Sequence, residues 1–503
     1  MIRDDDSKCF AVDALFDKRF PTSYTAEDVS LPTTNLSEEF RIHTQIEYPP
    51  LIQELSRYRS SISGYLKDFN LIYVASGCRL FFWEYASNNP WFSYDGIDKE
   101  IQFVDCVKLK PGIFDVAIVH ALVVVTATDV LLLSIHTTHD AVQPSVVSMN
   151  TIVPIQGFSV MDLVCTPSGR VLLGCSDGSL REFLYEPRIS FLHYFGVQPS
   201  ATLQVLSPSL LSGFSLQSLC YDAIHHFLFA LRSDGSLTLF SLGDDETSFV
   251  ALDSLQDLVV ATLPRLPPSS RRWLLSRSGL PRPASQLEFR RLRLLPSDLA
   301  PKPLVCAMTA TGLRVFVGVS EQKLRVTMML PPPRESMHMS DLWVVGSSFL
   351  ARERETLVAF VRDDAMQTRF QERVGVAFQR QDAVLNVCAL EETEKELRAD
   401  GSAYVFAGLS GMLANDEETR FLVLGSRGVV CLQRRRPCDR PFDASNVTFH
   451  SVTCFASHLM DATTSQTDRS LVQRFASTED LRGLLADGML LSLARTLRPL
   501  WRT

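Results

Sequence analysis

Two histidines and an aspartate lie close enough in this sequence to suggest metal chemistry. His136, His139 and Asp140 would supply two imidazoles and a carboxylate, which are donors that zinc and other transition metals use. The segment, however, follows an apolar strand-like run and enters a loop, with no third histidine or cysteine pair nearby. We therefore predict no metal site.

Two aspartates could serve as general acids or bases, but their surroundings indicate another role. Asp177 and Asp234 each lie in a Ser-Asp-Gly-Ser step between two apolar runs. An Asp-Gly pair suits a tight hairpin turn, because glycine adopts positive φ without steric cost. The chain has no Gly-x-Ser-x-Gly elbow, Walker loop or His-Glu-x-x-His motif. We predict no catalytic residue, cofactor or small-molecule substrate.

These two hairpins belong to a longer series of apolar run, turn and apolar run. The spacing is roughly 50 to 60 residues with some longer insertions, close to the roughly 40 to 50 residues of a four-stranded propeller blade. The sequence therefore predicts an all-β fold, a seven-bladed β-propeller. The seven turns are placed at Gly77, near Asp129, at Asp177 and Gly178, at Asp234 and Gly235, at Gly312, near 352–355, and at Gly428.

Composition limits the classes of protein that fit. A formal net charge of −8 argues against a nucleic-acid binder, which would show a basic face. The eleven cysteines are scattered without a Cys-x-x-Cys pair, which is typical of reduced thiols in a cytosolic or nuclear compartment. The start of the sequence is acidic and has no apolar stretch, so no secretory signal is expected.

The order of segments predicts three regions. Residues 1–45 form a polar N-terminal extension, and residues 46–442 form the propeller, which begins with a short helix. In residues 443–503 the spacing of leucines becomes helical, which predicts the start of an α-solenoid with more helices beyond it. Within the propeller, residues 263–295 form a proline-rich insertion with eight arginines and a single acid, Glu288.

The insertion is the strongest candidate for a binding segment. Tryptophan and leucine side chains could enter a membrane interface while arginines bind anionic head groups. A solvated basic loop is the alternative, because the apolar residues do not share one side of a helix. No aromatic series that could stack bases accompanies the charge, so nucleic acid is not expected. The predicted membrane-binding residues are Arg271, Arg272, Trp273, Leu274, Leu275 and Arg277.

Several motifs in order resemble the nucleoporin 155/170 family of large inner-ring scaffold nucleoporins. In that family a tryptophan strand, an Asp-Gly turn and a Val-Lys-x-Lys-x-Gly-Ile-Phe segment occur in the same order as here. The resemblance covers about residues 50–445. The matching segments are FFWEYASNNPWFSYDG (81–96), VKLKPGIF (107–114), GRVLLGCSDGSLREFLYE (169–186), RSDGSLTLFSLG (232–243) and FLVLGSRGVVCLQRRRPCDRP (421–441).

The resemblance implies a non-enzymatic structural component of the nuclear pore complex at the nuclear envelope. Its expected partners are other nucleoporins, bound through linear segments, and the membrane surface, touched by the insertion. Two alternatives remain: a generic propeller adaptor in a coat or ubiquitin-ligase assembly, and an enzyme with its site in the propeller channel. Fold alone does not decide between them, because propellers host many functions.

Overall fold

In the computed structural model, the described residues are almost entirely strands and the turns between them. Among them, no helix is long and apolar enough to span a membrane. The described residues are 40–58, 61–84, 91–116, 118–136, 145–187, 199–208, 214–244, 246–262, 288–295, 302–330, 332, 338–345, 348–353, 356–363, 371–379, 384–389 and 420–434.

The described strands form seven antiparallel sheets of four strands each, and six of these sheets are continuous in sequence. Blade 1 contains β2 (Ser61–Leu66), β3 (Leu71–Ser76), β4 (Arg79–Glu84) and β5 (Phe92–Tyr94). Blade 2 contains β6 (Ile101–Lys108), β7 (His120–Thr126), β8 (Asp129–His136) and β9 (Ser145–Pro154). Blade 3 contains β10 (Val160–Cys165), β11 (Val171–Cys175), β12 (Leu180–Pro187) and β13 (Pro199–Ser207).

Blades 4 to 6 repeat the same order of four strands. Blade 4 contains β14 (Leu216–Asp222), β15 (Phe227–Arg232), β16 (Leu237–Ser241) and β17 (Val250–Leu255). Blade 5 contains β18 (Phe289–Leu294), β19 (Leu304–Thr309), β20 (Arg314–Ser320) and β21 (Lys323–Leu330). Blade 6 contains β22 (Met339–Val345), β23 (Ser348–Glu353), β24 (Thr356–Asp363) and β25 (Gln371–Gln379).

Blade 7 closes the ring with strands from two distant parts of the chain. Its sheet combines an early strand with three late ones, and the early strand pairs with the last. This pairing links the N-terminal strand to the last blade and so closes the propeller ring. The strands are β1 (Phe40–Glu47), β26 (Val384–Ala389), β27 (Arg420–Gly425) and β28 (Gly428–Arg434).

The closing strand moves one predicted boundary. The N-terminal extension was expected to run to residue 45, but residues 40–45 lie inside β1 and belong to blade 7. Nothing in the β1 sequence identifies its partner, because β28 lies at the other end of the described chain. The predicted short helix before blade 1 is α1 (Pro50–Tyr58), which anchors itself through the fully buried Ile52.

Packing between blades supplies the core. The described residues form seven apolar clusters, and each cluster joins the facing sheets of two neighbouring blades. Burying large apolar side chains contributes roughly 1.5 to 3 kcal/mol each. A blade therefore gains most of its stability from its neighbours, which is why the hairpin pattern repeats.

One face of the ring gathers two kinds of connection, and we call it the turn face. It carries the turns between the second and third strands of each blade, together with the links to the next blade. Backbone hydrogen bonds join the two kinds of connection, as from Ile101 N to Gly77 O at 2.8 Å and from Tyr48 N to Arg427 O at 2.9 Å. The predicted seven-bladed propeller is confirmed, whereas the expected solenoid start at 443–503 lies outside the described residues.

Candidate interaction surface

The predicted turn residues lie on the turn face. Gly77, Gly178, Gly235 and Gly312 have φ values of 63°, 78°, 81° and 87°, which are left-handed conformations that favour glycine. Gly428 differs, because it is the first residue of β28 and the turn lies at residues 426–427. A side chain there would collide with the backbone of Ile46 in β1, so close approach of the closing strand explains this glycine.

The two aspartates of the repeated hairpin act on their own turns. Asp177 Oδ1 accepts hydrogen bonds from Ser179 N at 2.9 Å and from its Oγ at 2.6 Å. Asp234 Oδ1 accepts the same two bonds from Ser236, at 2.9 and 2.6 Å. Burial opposes ionisation of Asp177, but hydrogen bonds from Ser179 and Arg181 outweigh it and lower its pKa. Both carboxylates are thus occupied by their turns.

The ends of the arginine-rich insertion are fixed to the turn face. Before it, helix α2 (Leu258–Thr262) begins with Asp257 Oδ1 accepting the Val259 amide at 2.8 Å. The backbone N of Leu258 bonds Gly235 O at 3.0 Å. After the insertion, Glu288 O accepts the amide of Ala310, in the turn of blade 5, at 2.9 Å. The loop between them therefore leaves and re-enters the propeller on the turn face.

The structure shortens this insertion at its C-terminal end. The predicted range ran to residue 295, yet Phe289–Leu294 is β18, the innermost strand of blade 5. Within it, Arg291 pairs with Asp341 of blade 6 at 2.6 Å and Arg290 pairs with Glu288 at 3.0 Å. Phe289 and Leu292 are both buried, and a register shift between Phe289 and Arg291 lets these two residues, three positions apart, face the core of a basic strand. The predicted membrane-binding residues, 271–277, lie outside the described residues.

Polar side chains on the innermost strands join neighbouring blades near the ring axis. Asp162 Oδ2 of blade 3 accepts Ser218 Oγ at 2.9 Å and the Leu219 amide at 2.7 Å from blade 4. Asn386 of blade 7 accepts a bond from the Trp343 indole at 2.9 Å and donates to Ser63 O at 2.8 Å. Each of these two side chains bonds to a neighbouring blade, so both hold the ring together.

Asp105 on β6 belongs to the same inner set and has a shifted pKa. Its Oδ1 accepts the Cys106 amide at 2.8 Å, and it bonds to Cys165 of blade 3. Burial raises the Asp105 pKa to about 6, although the hydrogen bonds from Cys106 and Cys165 oppose the shift. Sequence reasoning missed these inner groups. The available signal was a polar residue within an apolar first strand.

A second missed cluster holds blades 3 and 4 together on the face opposite the turn face. Arg170, 6% exposed, binds both carboxylate oxygens of Glu182 at 2.9 and 2.7 Å. Its Nη1 also donates to the backbone oxygens of Glu246 and Ser248, in the loop before β17, at 2.9 Å each. This guanidinium thus fastens a loop of blade 4 to blade 3.

The two histidines of blade 4, His225 and His226, lie next to the Arg170 cluster. His225 Nδ1 lies 2.7 Å from Asp222 Oδ2, and His226 Nδ1 lies 3.1 Å from the Tyr221 hydroxyl. Tyr221 also bonds to the Glu246 carboxylate. Of the three residues considered as metal ligands, His136 ends β8, whereas His139 and Asp140 lie outside the described residues. Among the described residues, no group of three or more His, Cys, Asp or Glu could hold a metal ion.

Comparison with known proteins gives one family. A sequence model of the family described as "Nup133 N terminal like" matches residues 38–357. The probable nucleoporin C890.06 of Schizosaccharomyces pombe is 25% identical over 269 residues, which is 50% of this chain and 19% of that protein. Nucleoporin NUP170 of Chaetomium thermophilum is 23% identical over 304 residues, 54% of this chain and 21% of that protein.

A solved structure has the same fold. The Nup170 N-terminal domain of Chaetomium thermophilum, crystallised in complex with Nup53, aligns with a TM-score of 0.67 at 17% identity. The alignment covers 97% of this chain and 81% of that one. The match to the two curated relatives spans only about a fifth of their length. The chain belongs to the Nup133 N-terminal-like family of nucleoporins, which are nuclear pore proteins, and it has the propeller fold of the Nup170 N-terminal domain.

Proposed function

We propose that this chain is a scaffold component of the inner ring of the nuclear pore complex. Its propeller binds segments of other nucleoporins, and its basic insertion contacts the nuclear envelope membrane. The observation that carries the membrane part is the position of the insertion, whose two ends are hydrogen-bonded to the turns of blades 4 and 5. Residues 443–503 begin the α-solenoid that continues the scaffold.

The composition of the insertion supports membrane contact. Between the described anchors, residues 263–287 carry five arginines and no acid. A basic residue near an anionic surface contributes about 1 kcal/mol, and a buried tryptophan and two leucines add apolar contact. Because both ends are fixed to the turn face, the loop presents that face to the bilayer. The other faces of the ring stay free for protein partners.

Flotation with small anionic liposomes tests the membrane part. The parent chain should float, whereas a variant with Arg271, Arg272, Trp273 and Leu274 changed to Ser should stay at the bottom. The matched control changes Lys323 and Arg325, two exposed basic residues of β21, to Ser and should float like the parent. If the parent stays at the bottom, or if all three proteins float alike, the insertion is not a membrane anchor.

The nucleoporin-binding part rests on the family. A propeller of the same fold was crystallised with Nup53, so we propose that this chain binds a Nup53 counterpart. Mixing the purified chain with Nup53 and measuring co-elution on a sizing column tests this directly. A stable complex is expected. Independent elution of the two proteins at micromolar concentration would contradict the proposal.

A further inference from the structure

The outer edges of the blades differ in how they are protected. An outermost strand presents unpaired N–H and C=O groups, and proteins usually guard such edges with charge, short length or bulges. In this ring, β5 has three residues, and β9 is interrupted at Asn150, where φ is 54°. Three other edges carry charged residues: β1 has Glu47, β17 has Asp253, and β21 has Lys323 and Arg325.

The outer strand of blade 3 has neither a charged residue nor a bulge over its first seven residues. β13 runs for nine residues, Pro199–Ser207, without a charged residue, and its only proline is its first residue. It pairs with β12 in regular register from Pro199 to Val205, and the bulge comes only after that stretch. No described strand pairs with its outer side. Every second residue of this stretch therefore points its N–H and C=O away from the sheet.

The side chains of β13 present two different faces. Ala201 and Leu203 pack on the apolar cluster between blades 2 and 3, and Val205, the next residue on that face, is 45% exposed. Thr202 and Gln204, on the opposite face, are exposed and polar. A peptide strand paired with β13 would therefore have an apolar surface beside one of its faces and a polar surface beside the other. The pattern is that of a surface which recognises an extended peptide.

We propose that β13 is a docking edge at which an extended, uncharged segment of a partner nucleoporin adds a fifth strand to blade 3. This inference rests on the proposed segment-binding function and names its site. Charge decides the kind of occupant, because a charged residue in the added strand would lose water beside an edge that offers no opposite charge. The occupant is a run of about seven alternating apolar and small polar residues, which spans roughly 23 Å.

Two lysines on the edge test the proposal. Thr202→Lys with Val205→Lys places charge on both faces of β13 at exposed positions, so the fold should persist with a melting temperature like the parent's. The matched control is Val250→Lys on β17, where the valine is 53% exposed and the edge already carries Asp253. The probes are overlapping synthetic peptides that tile Chaetomium thermophilum Nup53, and binding to the full chain is measured by fluorescence anisotropy.

At least one peptide should bind the parent and the Val250→Lys control alike, and bind the double-lysine variant about tenfold or more weakly, a loss of about 1.4 kcal/mol. Amide hydrogen exchange should slow at residues 200–205 when that peptide is bound. Equal binding to all three proteins without slowed exchange there would overturn the β13 site and leave segment binding intact.

Two other outcomes would also count against the proposal. If no peptide binds the parent, the segment-binding function itself fails together with its site. If light scattering shows that the parent is a dimer and the double-lysine variant a monomer, a second copy of this chain occupies β13, and the assigned partner is wrong.

Discussion

Blades 3 and 4 are built on nearly the same hairpin, yet they meet their neighbours differently. In both, an aspartate receives two hydrogen bonds from the serine that follows the turn glycine, with matching distances. The residues before the second strand then diverge. Blade 3 has the buried Arg170 there, whereas blade 4 has His226 in a left-handed conformation, at φ 54°.

The outer strands of blades 3 and 4 differ as well, and so do the residues near their turn glycines. Asp253 on the outer strand of blade 4 accepts the Leu324 amide of blade 5 at 2.7 Å, while the outer strand of blade 3 is uncharged. A side chain on Gly235 would press on the Phe289 ring of blade 5. The turn conformation thus depends on local residues that recur in both blades, whereas the contacts with the next blade differ from one blade to another.

The largest effect should come from breaking the junction of blades 3 and 4 at Arg170. Arg170→Met keeps the volume but leaves the Glu182 carboxylate buried without its partner, which should cost about 3 to 5 kcal/mol of unfolding free energy. The corresponding change in blade 4, His226→Asn, keeps a residue that tolerates positive φ and should cost under about 1 kcal/mol. Urea denaturation of the two variants measures the difference.

A second change, Glu182→Leu in the Arg170→Met background, controls for the buried charge. Removing the unpaired carboxylate should recover a large part of the lost stability, since well-packed apolar replacements of buried ion pairs are often neutral. If the double variant is as unstable as the single one, the loss arises from the bonds to the blade 4 loop instead.

The next largest effect is a pH dependence at the other junction of blade 3. Burial raises the Asp105 pKa from 3.8 to about 6, so the folded chain holds a proton that the unfolded chain has released between these values. This group's contribution to stability should therefore fall by about 3 kcal/mol in total as pH rises from below 4 through about 6, and level off about one pH unit above that.

Asp105→Asn should remove that dependence. The amide keeps an acceptor for the Cys106 backbone N–H without the buried charge, so the variant should be more stable than the parent near neutral pH and similar to it near pH 4. Thermal unfolding of both proteins across the pH range measures the difference. Parallel curves for the two proteins would show that Asp105 is not the titrating group.

The smallest effect sharpens the comparison of the two turns. Alanine in place of Gly178 or Gly235 should cost about 1 kcal/mol for the positive φ alone. Gly235→Ala should cost about 1 kcal/mol more, because its new Cβ would lie 3.0 Å from the Phe289 ring. Urea midpoints measure both, and Phe289→Leu with Gly235→Ala should reduce the difference. Equal losses for the two glycines would show that the Phe289 ring yields.

Local sequence determined the repeated hairpins and the number of blades. The Asp-Gly turns and the alternating apolar runs depend only on residues within a few positions, and counting their repeats along the chain gives the number of blades. The turn residues Gly77, Gly178, Gly235 and Gly312 could therefore be placed without a structure. Gly428 was placed near its turn, but the reason for it was not local.

Tertiary structure decided what happens between blades. Ring closure pairs β1 with β28 across almost the whole chain, and the bonds of Asp162, Asn386 and Arg170 join residues of different blades. Apolar periodicity and turn motifs within one blade cannot predict contacts between residues of different blades. The basic stretch that forms β18 was missed for the same reason, because Phe289 and Leu292 pack on the cluster between blades 4 and 5 and Arg291 pairs with Asp341 of blade 6. Short-range sequence patterns specify the repeating unit, and long-range packing specifies how the units join into a ring.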